Sequence, residues 1–196
     1  MTRAPVVIGN WKMNPATIGD AVALARAIAA LPGGRTDVGV SPPAIALPSV
    51  ADALRGSAVA VYAQDVHWEE QGAFTGQLSV SMLRGQASGA IVGHSEVRRD
   101  QGDDDARVAR KLARVLGAGM RAVLCVGETE TQFAAGETDA VLTRQIERDL
   151  RDVRGLTAER FVVAYEPIWA IGTGRPATGA HASAAARRIR TALRVH

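Results

Sequence analysis

A parallel α/β architecture is the fold class that this chain predicts, and three features predict it. Six short apolar runs occur in series, each followed by a segment with helical spacing of its apolar residues. The runs are apolar nearly throughout rather than alternating, as expected of strands buried on both faces of a parallel sheet. No linker or shift in composition divides the 196 residues, so 1–196 is expected to form a single domain.

The elements follow in order. Pro5 to Asn10 is the first strand, bounded by Pro and Gly, and Asn10-Trp11-Lys12-Met13-Asn14 is the turn after it. Ile18 to Leu31 has helical spacing at Ile18, Val22, Ala25, Ile28 and Ala29, and Pro32-Gly33-Gly34 closes it. Asp37 to Val40 is the second strand, Ser41-Pro42-Pro43 its turn and Ala44 to Leu54 its helix. Ala58 to Gln64 is the third strand, with a long loop, Asp65 to Gly76, and a short helix from Leu78 to Arg84. Gly89 to Gly93 is the fourth strand, ended by His94-Ser95-Glu96, with a helix over Asp104 to Leu116. Arg121 to Val126 is the fifth strand, followed by Gly127-Glu128-Thr129 and one long helix from Thr131 to Arg154. Phe161 to Ala164 is the sixth, and Ala180 to Val195 is its helix.

Composition narrows the class of function. A 47% hydrophobic and 22% charged chain is that of a soluble globular protein. No apolar stretch approaches the roughly 20 residues of a membrane span, and Met1-Thr2-Arg3-Ala4-Pro5 has no signal-peptide pattern. A single cysteine, Cys125, excludes an intrachain disulfide and fits a reducing cytoplasm. The net charge is +3, with 21 Arg and 2 Lys scattered rather than blocked, which argues against a nucleic-acid surface.

In parallel α/β sheets, open or closed into a barrel, active residues lie at the C-terminal ends of the strands. Here those ends carry Asn10 and Lys12, then Gln64 and Asp65, then His94, Ser95 and Glu96, then Cys125 and Glu128, and finally Glu166. Each alone has a plain reading: Asn10 as a turn former, His94 as a satisfied core imidazole, Cys125 as a small core hydrophobe. Pro167 stops the sixth strand, and the loop beyond Glu166 bends at Gly172, Gly174 and Gly179. That loop reads equally as a lid over a carboxylate or as a surface connection. A carboxylate, an imidazole and an ammonium at the same end of one sheet suit proton transfer beside a carbonyl. The carboxylate takes the proton from carbon, the imidazole N–H polarises the carbonyl oxygen, and the ammonium stabilises the enediolate. No His pair or Cys cluster suggests a metal, no Gly-x-Ser-x-Gly suggests a serine hydrolase, and no Gly-x-Gly-x-x-Gly follows the first strand.

Five motifs then resemble one family. Asn10-Trp11-Lys12-Met13-Asn14, Gly72-Ala73-Phe74-Thr75-Gly76, Val92-Gly93-His94-Ser95-Glu96, Leu124-Cys125-Val126-Gly127-Glu128-Thr129 and Tyr165-Glu166-Pro167-Ile168-Trp169-Ala170-Ile171-Gly172-Thr173-Gly174 are similar to the triosephosphate isomerases, in the right order from Val6 to His196. The resemblance implies a TIM (β/α)₈ barrel and interconversion of dihydroxyacetone phosphate and D-glyceraldehyde 3-phosphate, in the cytoplasm, without a cofactor or metal. It implies Glu166 as the base, His94 as the neutral electrophile and Lys12 as the oxyanion stabiliser. Asn10, Lys12 and Gly172 would contact substrate. Pro167, Ile168, Trp169, Ala170, Ile171, Gly172, Thr173 and Gly174 would form the lid, with Ser95, Glu96, Cys125 and Glu128 as supporting residues. It also implies a homodimer through the Asp65–Gly76 loop, with Gln64, Phe74 and Thr75 at that contact, and no nucleic-acid or membrane partner.

The chain departs from the family pattern in length. A (β/α)₈ barrel takes roughly 250 residues; this sequence has six βα units and lacks the family's seventh and eighth strands with their Tyr-Gly-Gly-Ser and Gly-Gly loops. The implied domain is therefore an incomplete barrel whose first and sixth strands are edges. Gln77 and Val97 stand where the family usually has Glu and Arg, and Arg175-Pro176 replaces the more usual Lys-Thr in the lid's second hinge. The alternative to an active isomerase is a non-catalytic chain that keeps the base and lid without most of the phosphate seat.

Overall fold

The computed structural model describes residues 4–195. The leader expectation for Met1 to Arg3, and His196, lie outside the described residues. Contacts group the chain into two compact units, Met1–Ile91 and Val92–His196.

In the first unit, β1 (Val6–Asn10), β2 (Asp37–Ser41), β3 (Ala60–Ala63) and β4 (Gly89–Val92) are parallel neighbours in chain order. The β1–β2 register runs from Val6↔Asp37 to Asn10↔Ser41. Helix α1 (Ile18–Ala29) starts where the Thr17 hydroxyl accepts the Asp20 N–H at 3.1 Å. It turns Ala21 and Ala25, one helical turn apart, fully inward. The second connection is a 3₁₀ turn over Ala44–Ala46 and then α2 (Leu47–Ala53), not one helix from Ala44 to Leu54. Helix α3 is shorter than its apolar pattern suggested, Val80–Leu83. Strand β3 also starts two residues later than expected, because Ala58 and Val59 precede the paired stretch. The core of this unit is Val40, Val50, Val61, Ala63, Val66, Val80 and Leu83, whereas Val6 and Val7 on β1 are 43% and 59% exposed.

In the second unit, α4 (Ser95–Gln101) follows directly on β4. The sequence read no helix here, because SEVRRDQ has one apolar residue and no amphipathic period. The helix is capped by His94 instead, and Gly102 ends it in the left-handed region (φ 74°). Helix α5 (Asp105–Gly117) buries Val108, Leu112 and Val115 behind the Asp104 cap. Strand β5 (Arg121–Val126) pairs in parallel with β6 (Phe161–Tyr165), from Ala122↔Phe161 to Val126↔Tyr165.

The single long helix expected over Thr131–Arg154 is two helices, α6 (Glu130–Ala134) and α7 (Thr138–Asp149). Gly136 breaks it with φ 73°. Its N–H donates to the Phe133 carbonyl at 3.0 Å, and the Glu137 N–H donates to the Gln132 carbonyl at 2.9 Å. That is the paired stop of a glycine-terminated helix, and it outweighs the apolar periodicity that runs through it. The segment after β6 holds a 3₁₀ turn, Ile168–Ala170, before α8 (Gly179–Ala192) and a last 3₁₀ turn, Leu193–Val195.

Candidate active site

His94 is fixed by the helix it starts. Its Nδ1 accepts the Glu96 N–H at 3.2 Å, so in the neutral ring the proton sits on Nε2. That Nε2–H meets Glu166 Oε1 at 2.9 Å, while Oε2 of the same carboxylate accepts the Ser95 N–H at 2.9 Å. The side chains of His94 and Glu166 are 9% and 16% exposed, so the pair is almost sealed from water. Burial pushes the Glu166 carboxyl up, but the His94 hydrogen bond, the attraction of His94 and the Ser95 N–H together hold it below its ordinary value. The arrangement is a carboxylate kept ionised in a dry site, opposite a directed imidazole N–H.

Two neighbours fix the strand that carries Glu166. Its N–H donates to the Val126 carbonyl at 2.8 Å. Gly127, next along β5, touches the Glu166 backbone so closely that an added Cβ would sit 1.8 Å from its carbonyl oxygen. Gln145 of α7 grips Gly127 from both sides, accepting its N–H at 2.9 Å and donating to its carbonyl at 3.3 Å. Cys125 lies buried beside Glu166; burial, and then the Glu166 charge, push its thiol well up, so it stays a neutral thiol.

Glu128 is fully buried and anchors the segment beyond Glu166. It accepts Trp169 Nε1–H at 2.8 Å, Tyr165 Oη–H at 2.8 Å and Thr138 Oγ1–H at 3.2 Å. The Trp169 ring stacks on Phe133 at 4.1 Å. Ile171 is exposed, and Gly172 and Gly174 take φ of 71° and 73°. The segment is thus rooted at Trp169 and exposed beyond it, where Thr173 Oγ1–H donates to the Trp169 carbonyl at 3.2 Å and Arg175 pairs with Glu130 at 2.6 Å.

In the first unit, Lys12 is held in the left-handed region (φ 53°), a conformation that costs a lysine on the order of 1–3 kcal/mol. Asn10 Oδ1 accepts its N–H at 3.0 Å, and Gln64 Nε2 donates to its carbonyl at 2.8 Å and to that of Ser41 at 3.0 Å. Gln64 thereby shapes the Lys12 turn. In the Asp65–Gly76 loop, His67 stacks on Trp68 at 4.1 Å and meets Phe74 at a tilt, 4.2 Å away, and Phe74 remains partly exposed. Thr75 is exposed at the tip.

An ionic network lies behind His94. Arg98 donates to the Gly93 carbonyl at 2.9 Å, to Asp105 at 2.9 Å and to Asp149 at 2.6 Å. Asp149 is fully buried and its Oδ1 has no hydrogen-bond partner. Burial, opposed by Arg98 and reinforced by Asp105, raises its carboxyl to about 7. An aspartate raised in the folded state contributes stability that is complete below its unfolded value, about 3.9, and lost as pH climbs through the folded one. Asp149→Asn, which cannot ionise, is expected to remove that loss. The melting temperature of the wild type should fall relative to the variant between about pH 4 and 7; parallel melting curves would refute it.

Several contributors were not visible as sequence patterns. Ser95 reaches Glu166 through its backbone N–H. No sequence pattern marks the contacts made by Gln145, Arg98, Tyr165 and His181. The signal available for Gln145 is polarity on a helix face that otherwise buries Val141, Leu142 and Ile146. Among the described residues, no group of three or more His, Cys, Asp or Glu is placed to hold a metal ion, and no helix is long and apolar enough to cross a membrane.

Parallel βα units with a carboxylate and an imidazole paired at their strand ends define an α/β protein of the barrel class. Comparison with known proteins narrows the class. The family model for triosephosphate isomerase matches residues 5–196. The triosephosphate isomerase of Chlorobium luteolum is 42% identical over 196 residues, covering 98% of this chain and 77% of the relative. That of Treponema pallidum is 43% identical over 194 residues, covering 98% and 78%. The crystal structure of triosephosphate isomerase from Bartonella henselae superposes with a TM-score of 0.86 at 36% identity, over 96% of this chain and 75% of that one. The chain belongs to the triosephosphate isomerase family. It is thereby an isomerase by family, with six strands of the TIM-barrel fold in the sequence at hand.

Proposed function

We propose that the protein interconverts dihydroxyacetone phosphate and D-glyceraldehyde 3-phosphate through an enediolate, as a step of glycolysis and gluconeogenesis in the cytoplasm. The observation that carries this is the Glu166 carboxylate, 2.9 Å from the His94 Nε2–H, in a chain of this family. The family is itself the standing example of such a tuned pair.

Glu166 removes a proton from the carbon next to the carbonyl, and the C–H electrons run into the carbonyl oxygen. The resulting acid returns the proton to the neighbouring carbon. His94 donates its Nε2–H to the carbonyl oxygen, and the hydroxyl proton passes between the two oxygens through the same nitrogen. A neutral imidazole suits this, since it can both give and regain that proton. For this to happen, Glu166 must exchange its bonds to His94 and Ser95 for the substrate. Substrate oxygen taking the His94 N–H is what frees the carboxylate.

Lys12, with Asn10 beside it, supplies the ammonium for the oxyanion and phosphate. Residues Pro167 to Thr178 close as the lid, excluding water, with the Gly172 N–H on the phosphate. Ser95, Glu96, Cys125 and Glu128 support the pair. Residues 1–196 act as one incomplete barrel domain, and two copies pair through the Asp65–Gly76 loop, with Gln64, Phe74 and Thr75 at or near the contact.

The test is a coupled assay in both directions with each triose phosphate, run on protein whose mass in solution is measured by sedimentation. Turnover by a species of twice the chain mass is the expected result. A well-folded chain with no turnover would overturn the catalytic reading, and a turning-over monomer would overturn the dimer.

A further inference from the structure

The Glu128 cluster contains one member that none of the foregoing roles uses. His181 lies in the first turn of α8, where its N–H donates to the Thr178 hydroxyl at 3.1 Å. Its ring is 23% exposed, with Nε2 at 2.6 Å from Tyr165 Oη and 3.6 Å from Glu128 Oε1. It meets the rings of Phe133 and Trp169 edge-on, at 5.5 and 5.4 Å.

A proton count fixes the direction of these bonds. Tyr165 has one O–H and two acceptors within reach. Glu128 Oε1 and Oε2 lie 2.8 and 3.1 Å from it, and Glu128 is fully buried, with Thr138 and Trp169 as its other hydrogen-bond donors. A buried carboxylate is the stronger acceptor and the costlier to leave short of a donor, so it takes the tyrosine proton. Burial, and then Glu128, push the Tyr165 hydroxyl up, which keeps that proton in place. At 2.6 Å, His181 Nε2 must then carry a hydrogen and donate it to the tyrosine oxygen.

This relay spans the lid. Tyr165 precedes Glu166 on β6, Trp169 opens the loop, and His181 stands just past its far end. We propose that His181 is a positioning residue that ties the two stems of the 167–178 loop together, through Tyr165 to Glu128 and on to Trp169. By committing the tyrosine proton to Glu128, it completes the carboxylate that holds the Trp169 indole, and so keeps the Ile168–Ala170 turn formed. The proposal rests on reading Glu166 as the base and this loop as its lid.

Three measurements test it on the full chain. Nitrogen-15 NMR of histidine-labelled protein is expected to find His181 protonated on Nε2, and a neutral Nδ1–H tautomer would overturn the proposal. Hydrogen exchange reads the turn directly, because the Ala170 and Ile171 amides donate to the Pro167 and Ile168 carbonyls. In His181→Ala these amides should exchange about tenfold faster. In His181→Gln, whose amide can still donate to Tyr165, they should return to within about twofold of wild type. Equal exchange in wild type and the alanine variant, or equal acceleration in both variants, would overturn it. For triose phosphate turnover, kcat/KM should fall several-fold in the alanine variant and recover in the glutamine variant. A wild type without turnover counts against the proposed function alone; the tautomer and the exchange rates still decide the role of His181.

Discussion

Glu166→Gln is expected to lower triose phosphate turnover by about 10³-fold or more while leaving the fold in place. The side chains have the same shape, so the substitution removes the base and little else. A positioned general base contributes 10²- to 10⁴-fold, and an amide cannot accept a proton from carbon at neutral pH. The cost to folding is smaller. The carboxylate accepts two hydrogen bonds, from Ser95 N–H and His94 Nε2–H. An amide has one acceptor oxygen, so one of these donors loses its partner, at about 1–3 kcal/mol.

The variant should also change the acid limb of the stability curve. The Glu166 carboxyl is held below its ordinary value in the folded chain. Its contribution is therefore complete above the unfolded value, about 4.3, and is lost as pH falls through the folded one. Glutamine has nothing to lose, so its melting temperature should decline less on acidification. Steady-state kinetics at neutral pH and melting curves from pH 3 to 7 check both parts. Turnover within tenfold of wild type would remove Glu166 from the role of base.

The parallel strands were legible because the core is built of them. Val61 to Ala63, Ala90 to Val92 and Ala122 to Val126 are buried, and residues buried on both faces are apolar without alternation. The same rule says nothing about cover. The apolar run of β1 looks like the others in sequence, yet Val6 and Val7 are substantially exposed. Periodicity misled at Gly136, where a local glycine stop outweighs a helical pattern that resumes beyond it. It was silent at α4, whose residues serve Arg98 and its ion pairs rather than an apolar face.

At the site, Glu166 and His94 stood out because charged and imidazole side chains are unusual at the ends of buried strands. What holds them was hidden for a physical reason. The Ser95 N–H on Glu166 and the Gln145 grip on Gly127 are contacts made to or by main-chain atoms, which leave no residue type behind. His181, a lone partly exposed histidine near a helix start, acquires meaning only from the 2.6 Å to Tyr165.

Gly127→Ala is the substitution expected to damage folding and turnover together. The new Cβ would lie 1.8 Å from the Glu166 carbonyl oxygen and 2.7 Å from its carbonyl carbon. Both are main-chain atoms of a paired strand, so no side chain can swing aside. Gly127 cannot retreat either, because Gln145 holds its N–H and its carbonyl in a buried site. Something in the backbone must move: the end of β6 swings away with the base, or the Gln145 bonds break. Overpacking a core typically costs 1–3 kcal/mol, and a clash against main chain should reach about 3 kcal/mol in denaturant unfolding. Displacing the base by about 1 Å should cost a further 10²-fold in turnover of the folded fraction. The double variant Gly127→Ala/Gln145→Ala separates the two escapes. With the grip already gone, the alanine at 127 has room to shift, so the pair should destabilise by clearly less than the sum of the single variants. Strict additivity, or a Gly127→Ala chain as stable and active as wild type, would show that β6 and its carboxylate are not held in place by this contact.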